Sequence, residues 1–143
     1  MDINIGEFSE ALNDKMDTDL NNRTNTSGFR KLKSSYYNGQ NWYKIFEEIQ
    51  SDGSIKEWCE QGGTSLITSG YGPTSLLQAY LNTDYTVLAI EYFGTSIQPS
   101  FNNADIVAID SVTVSSFRVL GSTNADGALS GVTALWYACG YIS

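Results

Sequence analysis

From Gly39 onward the sequence is a succession of short segments rich in Val, Ile, Tyr, Phe, Trp and Thr, separated by clusters of Gly, Pro, Asn and Asp. Segments of the first kind favour strands, and clusters of the second kind favour turns. No helical apolar period interrupts the series, so the pattern predicts a mainly β domain, an antiparallel sandwich or barrel, and not a parallel sheet with crossover helices. The predicted strands are 42–50, 54–61, 64–68, 75–82, 84–93, 105–109, 112–120 and 132–142, and the predicted loops are 69–73, 94–104 and 121–131.

The segment from Trp42 to Gly63 predicts a β-hairpin, and its turn decides the register. A two-residue turn at 52–53 would place like charges opposite each other and leave apolar residues facing charged ones. A three-residue loop at 51–53, with Gly53 in the left-handed conformation of a bulge, gives better partners. The pairs it predicts are Ile49 with Ile55, Glu48 with Lys56, Phe46 with Trp58, Ile45 with Cys59 and Lys44 with Glu60.

Several predicted strands are apolar on both faces. Strand 84–93 carries Tyr85, Val87 and Ala89 on one side and Leu88, Ile90 and Tyr92 on the other. The hairpin and strand 132–142, with Leu135, Trp136, Tyr137, Ala138 and Tyr141, show the same property. In a sandwich of this size, such strands imply that one sheet is covered from outside, and a neighbouring subunit is the simplest cover.

The amino-terminal residues 1–20 predict a short amphipathic helix, because Ile5, Phe8 and Leu12 recur at helical spacing. A lone helix of this length is marginal in water, so we expect it to pack either against a partner or onto its own domain. Residues 21–38 begin with turn formers and are predicted to be a linker, which leaves 39–143 as the β domain.

Composition excludes several classes of partner. The chain has sixteen acidic and eight basic residues and a formal charge of −8, so its mean field repels nucleic acid and anionic membrane surfaces. No basic segment followed by an apolar core opens the sequence, and no stretch approaches the roughly 18 apolar residues of a membrane span. We therefore expect neither nucleic-acid binding, nor membrane insertion, nor secretion through a signal.

The chain contains no histidine, which removes the Ser-His-Asp and Cys-His nucleophile systems and histidine zinc sites. Cys59 and Cys139 are the only thiols, and we expect them to be free and buried, as small apolar residues. No phosphate-binding glycine loop or metal-ligand spacing is present in the sequence. No cofactor, no metal and no catalytic residue is predicted.

The hairpin also resembles a known family. It is similar to a signature of bacteriophage and prophage tail-fibre tip domains through Trp42-Tyr43, Ser51-Asp52-Gly53, Ile55 and Glu60-Gln61-Gly62-Gly63. Further similarity lies in Thr83–Leu88, in Ser116-Phe117, in Trp136–Tyr141, and in Phe8–Asn22, which is similar to the stalk before such tips. Where many relatives have Ile followed at once by Glu-Gln-Gly-Gly, Lys56–Cys59 intervene here, which we interpret as a longer arm of the same hairpin.

The resemblance implies a homotrimeric β-sandwich at the distal end of a virion tail fibre, with a helical stalk at its amino end. Such a tip attaches the virion to a bacterial surface receptor, commonly a glycan, and is assembled in the host cytoplasm. The implied partners are two further copies of the chain, the rest of the fibre and the receptor.

Receptor contact is predicted for four residues on Gly-, Pro- and Asn-rich loops: Tyr71, Asn102, Asn103 and Asn124. Together they offer a stacking face and amide donors and acceptors, although each is also an ordinary turn residue. Two other functions remain open. The chain could be a purely structural knob that trimerises a fibre, or an enzyme that cleaves polysaccharide with two carboxylates drawn from Asp52, Asp84, Asp105, Asp110 and Asp126.

Overall fold

A computed structural model describes residues 6–7, 9–15, 30–92, 106–122 and 131–143. Within them lie a short helix, α1, over 6–15 (residue 8 is not described) and eight strands. The strands are β1 (Arg30–Tyr37), β2 (Trp42–Ile49), β3 (Ile55–Ile67), β4 (Tyr71–Ser75), β5 (Thr86–Tyr92), β6 (Ile106–Asp110), β7 (Ser116–Ser122) and β8 (Val132–Tyr141).

The strands form two antiparallel sheets. The large sheet has the order β1-β2-β3-β8-β5 and the small one the order β4-β7-β6. One hydrophobic core contains residues of both sheets, and the ring of Phe117 on β7 meets that of Trp136 on β8 edge-on at 5.4 Å. The predicted mainly β class is confirmed, and the arrangement is compatible with a sandwich.

The register predicted for the central hairpin is confirmed at each of its five pairs. Gly53 has φ of 82°, and the Gln50 and Ser54 backbones close the three-residue loop with a 2.8 Å hydrogen bond. The Asp52 carboxylate accepts a hydrogen bond from the Ser54 N–H at 2.9 Å, which stabilises the turn. Local turn chemistry and cross-strand pairs therefore decided this register correctly.

The predicted break between strands 54–61 and 64–68 is wrong, because β3 runs without interruption through Gly62 and Gly63. These glycines allow close approach and do not end the strand. A Cβ on Gly62 would lie 2.8 Å from the Trp136 carbonyl oxygen and 2.9 Å from Nε1 of Trp42, whose indole lies against the strand.

The prediction of 69–73 as a loop is right for Ser69 and Gly70 but wrong for 71–73, and the prediction of 75–82 as a strand is wrong. Ser69 and Gly70, both with positive φ, form a two-residue turn that carries the chain from β3 into β4. Pro73 is tolerated because β4 is an edge strand. Residues 76–85 form no strand, since the buried amide of Gln61 bonds their backbone instead.

The boundary predicted for the linker 21–38 does not match the structure, because residues 30–37 form β1 at the edge of the large sheet. All eight residues of β1 are exposed, so this strand lacks the alternation of apolar and polar residues by which sequence reveals a half-buried strand. Residues 21–29 and the predicted helical positions 1–5 and 16–20 lie outside the described residues.

Cys59 and Cys139 are both free, as predicted. Cys59 is fully buried, whereas Cys139 is only half-buried, so the expectation of two buried thiols is right for one of them. Cys139 pairs with Glu60 and Cys59 with Gly140, which places the two thiols on opposite faces of the large sheet.

Candidate receptor-binding surface

The two ends of the domain differ in what they carry. At one end, here called the entry end, Arg30 begins β1 beside Glu48, and the hairpin turn at 51–53 and Ser143 lie close by. At the opposite end, the loop end, lies the Ser69-Gly70 turn. There the Gly121 N–H donates to the Gly70 carbonyl (3.0 Å) and the Gly131 N–H to that of Ile67 (2.9 Å). The described strands that border 93–105 and 123–130 also end there.

Of the four residues predicted to contact a receptor, the structure describes Tyr71. The sequence predicts a loop position for Tyr71, but this residue begins β4 directly after the Ser69-Gly70 turn. Half of its surface is exposed. Asn102, Asn103 and Asn124 lie outside the described residues. The three asparagines belong to the segments 93–105 and 123–130. The described strands that border these segments end at the loop end, where Tyr71 also lies.

Tyr71 belongs to an outward-facing group on the small sheet, together with Arg118 and Asp110, which we call the Tyr71 surface. The Arg118 guanidinium carbon lies 4.9 Å from the centre of the Tyr71 ring. The same guanidinium donates Nε to Oδ1 of Asp110 (2.8 Å) and Nη2 to Oδ2 (2.6 Å), a two-point ion pair between β7 and β6. These bonds hold the pKa of Asp110 below its ordinary value and raise that of Arg118.

This surface can stack an apolar face on Tyr71 and hydrogen-bond through Arg118 and Asp110. All three groups are partly exposed and stand on strands, so their positions are set by the sheet. The sequence predicted Tyr71 but not Arg118, and it indicated Asp110 only among the carboxylates of the enzyme alternative. Arg118 does give a signal, since it lies between the buried Phe117 and Val119 and must therefore face outward, but its partner strand could not be known.

A cleft of about 280 Å³ lies at the entry end, lined in part by Lys56, Trp58, Asn82, Asp84 and Tyr141. The Arg30 guanidinium lies 4.0 Å from the Trp58 ring centre, and the Lys56 ammonium lies 5.4 Å from that of Tyr141. A cation thus lies over each of these two rings, as Arg118 does over Tyr71, and the cleft differs from the Tyr71 surface in lying at the entry end.

A polar network fixes the start of β1 at the entry end. The Glu48 carboxylate is buried and accepts hydrogen bonds from Arg30 Nε (2.5 Å), Gln50 Nε2 (3.1 Å) and the Tyr141 hydroxyl. Burial alone would raise the Glu48 pKa, but the bonds from Tyr141, Arg30 and Gln50 outweigh it and the pKa is lowered.

We expect this network to make the domain acid-sensitive. Since the folded pKa of Glu48 lies below the unfolded value of about 4.3, its contribution is present above that value and is lost as pH falls through the folded pKa. Glu48→Gln should cost about 2 kcal/mol at pH 6 and less at pH 3. Urea unfolding at both pH values measures the difference. An equal cost at both would contradict the assignment.

Within the described ranges, no group of three or more Cys, Asp or Glu side chains is arranged to hold a metal ion. Nor does any helix found there have the length and apolar character needed to span a membrane. Comparison of the chain with protein-family models, with curated proteins and with solved structures finds no match.

Proposed function

We propose that this chain is the distal tip of a phage tail fibre, a homotrimer that binds a bacterial surface glycan and attaches the virion to its host. The resemblance of the hairpin to tail-fibre tips supports the proposal, as do the acidic charge and the absence of histidine. The proposed location is the virion tail fibre, assembled in the host cytoplasm, and the proposed activity is binding without catalysis.

The observation that carries the proposal is the position of the Tyr71 surface. It stands beside the turn of the loop end, while the chain enters the domain at the other end, beside Glu48. A fibre that reaches the domain through its amino-terminal segment leaves the loop end pointing away from the shaft. An exposed tyrosine with an ion pair next to it suits a hydroxyl-rich ligand with apolar ring faces.

Weak individual sites suffice for this function. Three copies on one tip raise the effective concentration for the second and third contacts, so overall attachment can exceed single-site affinity by orders of magnitude. The small, half-exposed Tyr71 surface agrees with such a design.

Tyr71→Ala is the direct test. We expect it to weaken binding to the recognised glycan about tenfold, because loss of one aromatic contact removes on the order of 1–1.5 kcal/mol. Glycan-array screening of the full chain identifies the ligand, and calorimetry with that glycan compares the variants. Asp110→Asn should weaken binding less, since one carboxylate oxygen is replaced and the other remains an acceptor.

Tyr36→Ala is the matched control. Tyr36 is exposed to a similar degree (44% against 50% for Tyr71) but lies on β1 of the large sheet, where it stacks on Tyr43 with the ring centres 5.5 Å apart. Its variant should bind glycan as the parent does. Equal losses in both variants, or no loss in Tyr71→Ala, would refute the role of the Tyr71 surface.

A structural knob without receptor contact is the second candidate function, and the exposed apolar face of the large sheet favours it. Host adsorption that is unaffected by substitutions on the Tyr71 surface would support this alternative. A polysaccharide-cleaving enzyme is less favoured. It needs two carboxylates about 5–9.5 Å apart, one of them free to carry a proton, whereas Asp110 is held ionised by Arg118 and Asp52 accepts a turn hydrogen bond.

A further inference from the structure

The outer face of the large sheet, which points away from the core, bears a continuous apolar area toward the loop end. It is formed by three successive cross-strand rows: Leu66 with Thr133; Thr64, Leu135 and Ile90; and Trp42, Gly62, Tyr137 and Leu88. We call its apolar members, Trp42, Leu66, Leu88, Ile90, Leu135 and Tyr137, the outer patch. No charged side chain stands in these rows.

The outer patch is costly to leave in water. Leu66, Leu88 and Ile90 are 61%, 62% and 62% exposed, although they lie within regular strands. Leu88, Ile90, Leu135 and Tyr137 also line a shallow groove of about 210 Å³ between β5 and β8. Contiguous exposed groups of this kind mark interaction surfaces, in contrast to single exposed leucines.

The dimensions suit a protein partner. With strands about 4.8 Å apart and a rise of about 3.3 Å per residue, five strands and the ten residues of β8 give a face of about 24 by 33 Å. That is about 800 Å² for the whole outer face, charged rows included, which is the area that one partner contributes to an interface of standard size; the outer patch is the apolar part of this face. Lys44 and Glu60, paired in the next row toward the entry end, form a polar rim beside the apolar centre.

The net charge of the chain restricts how two copies can contact each other. Each copy of the chain carries a net −8, so close contact between copies through charged surface would be repulsive. The outer patch avoids that cost because its rows are neutral. Its face also runs along the strands from the entry end to the loop end, so copies joined side by side at their amino ends can turn this face toward one another.

We infer that a second copy of this chain covers the outer patch, so that the β domains themselves, and not α1 alone, hold the assembly together. The inference rests on the proposed fibre tip for the number and parallel arrangement of the copies. The surface itself is argued from exposure, area and charge. In the assembly Leu88 and Ile90 are buried at the interface, while the Tyr71 surface on the small sheet remains open.

Leu88→Asp and Ile90→Asp in the full chain test the inference. Sedimentation equilibrium should show a multimer for the parent and a dissociation constant at least about tenfold higher for each variant, because a carboxylate would have to be buried without a partner. Far-UV circular dichroism and thermal melting check that the β domain is still folded. If either aspartate variant folds poorly, Leu66→Ser, on another strand, gives the same test with a neutral side chain.

Two matched controls make the result specific. Leu81→Asp changes a leucine that is 60% exposed but lies outside the outer patch, and Leu12→Asp changes the 47% exposed leucine of α1. Both should remain multimeric. A monomeric parent chain would overturn the inference, as would folded patch variants that keep the parent's mass, or dissociation by Leu12→Asp with none by the patch variants.

Failure of this inference can be told apart from failure of the proposed function. Monomeric patch variants should keep the single-site glycan affinity of the parent and lose only its avidity, since Tyr71 stands on the other sheet. A parent chain that assembles through the outer patch but binds no glycan would leave this inference standing and remove the receptor-binding proposal.

Discussion

Gln61→Leu should lower the free energy of unfolding by about 3 kcal/mol, because it strands three buried or half-buried backbone groups at once. Gln61 is fully buried between the sheets. Its Oε1 accepts hydrogen bonds from the N–H groups of Leu77 (2.9 Å) and Gln78 (3.1 Å), and its Nε2 donates to the Gln78 carbonyl at 2.7 Å. Leucine nearly fills the volume but satisfies none of these groups.

The expected loss corresponds to a melting temperature lower by about 6–12 °C for a domain of this size. Differential scanning calorimetry and urea unfolding measure it. Gln40→Leu is the control, since Gln40 is exposed and its amide makes a hydrogen bond with the Thr64 hydroxyl at 2.6 Å. We expect that change to stay within about 0.5 kcal/mol of the parent. Similar losses in both variants would show that the Gln61 amide does not hold the 76–85 segment.

Gln61 also shows why part of the fold could not be predicted from the sequence. Leu76, Leu77, Tyr80 and Leu81 give residues 75–82 the composition of a strand, and local propensity favours that interpretation. In the structure their backbone does not join a sheet. The Leu77 N–H donates to the Gln61 side-chain oxygen, and the Leu81 N–H donates to the Tyr141 carbonyl at 2.8 Å. Contacts between residues distant in sequence override local preference here, and no local pattern announces them.

The strand register could be predicted where the turn and the cross-strand pairs that decide it are close in sequence. The 42–63 hairpin followed from one turn and five cross-strand pairs, all within 22 residues of sequence. The turn at Ser69-Gly70 was also local, but the predicted loop 69–73 extends beyond it to Pro73. Pro73 lies on an edge strand, and which strands lie at an edge depends on the assembly of the whole sheet.

The candidate site was predictable only in part for the same reason. An exposed tyrosine beside glycines could be singled out from sequence, but Tyr71 begins β4 and does not stand on the predicted loop. Its companions Arg118 and Asp110 come from strands that become neighbours only when the small sheet forms. The apolar outer face was predicted because several strands are apolar on both sides, and such strands need two covers.

Gly62→Ala should destabilise the domain by up to about 3 kcal/mol, although it adds a single methyl group. The added Cβ would lie 2.8 Å from the Trp136 carbonyl oxygen, which belongs to the backbone of the adjacent strand β8. It would also lie 2.9 Å from Nε1 of Trp42. The indole can rotate outward, but the β8 backbone cannot move away without disturbing the centre of the large sheet.

The variant also separates the stability of the sheet from the shape of the outer patch. If the Trp42 ring is displaced, its contact with Tyr137 (ring centres 6.2 Å apart) is lost, and self-association should weaken along with stability.

Gly72→Ala is the control, because its nearest atom, the Leu66 carbonyl oxygen, would be 3.1 Å from the new Cβ. We expect a smaller loss there and an unchanged mass in solution. Urea unfolding and sedimentation equilibrium measure both effects. Equal losses of unfolding free energy in Gly62→Ala and Gly72→Ala would mean that close approach of the β8 backbone does not explain the need for glycine at position 62. A Gly62→Ala variant that is destabilised but keeps the parent's mass in solution would place Trp42 outside the interface between copies.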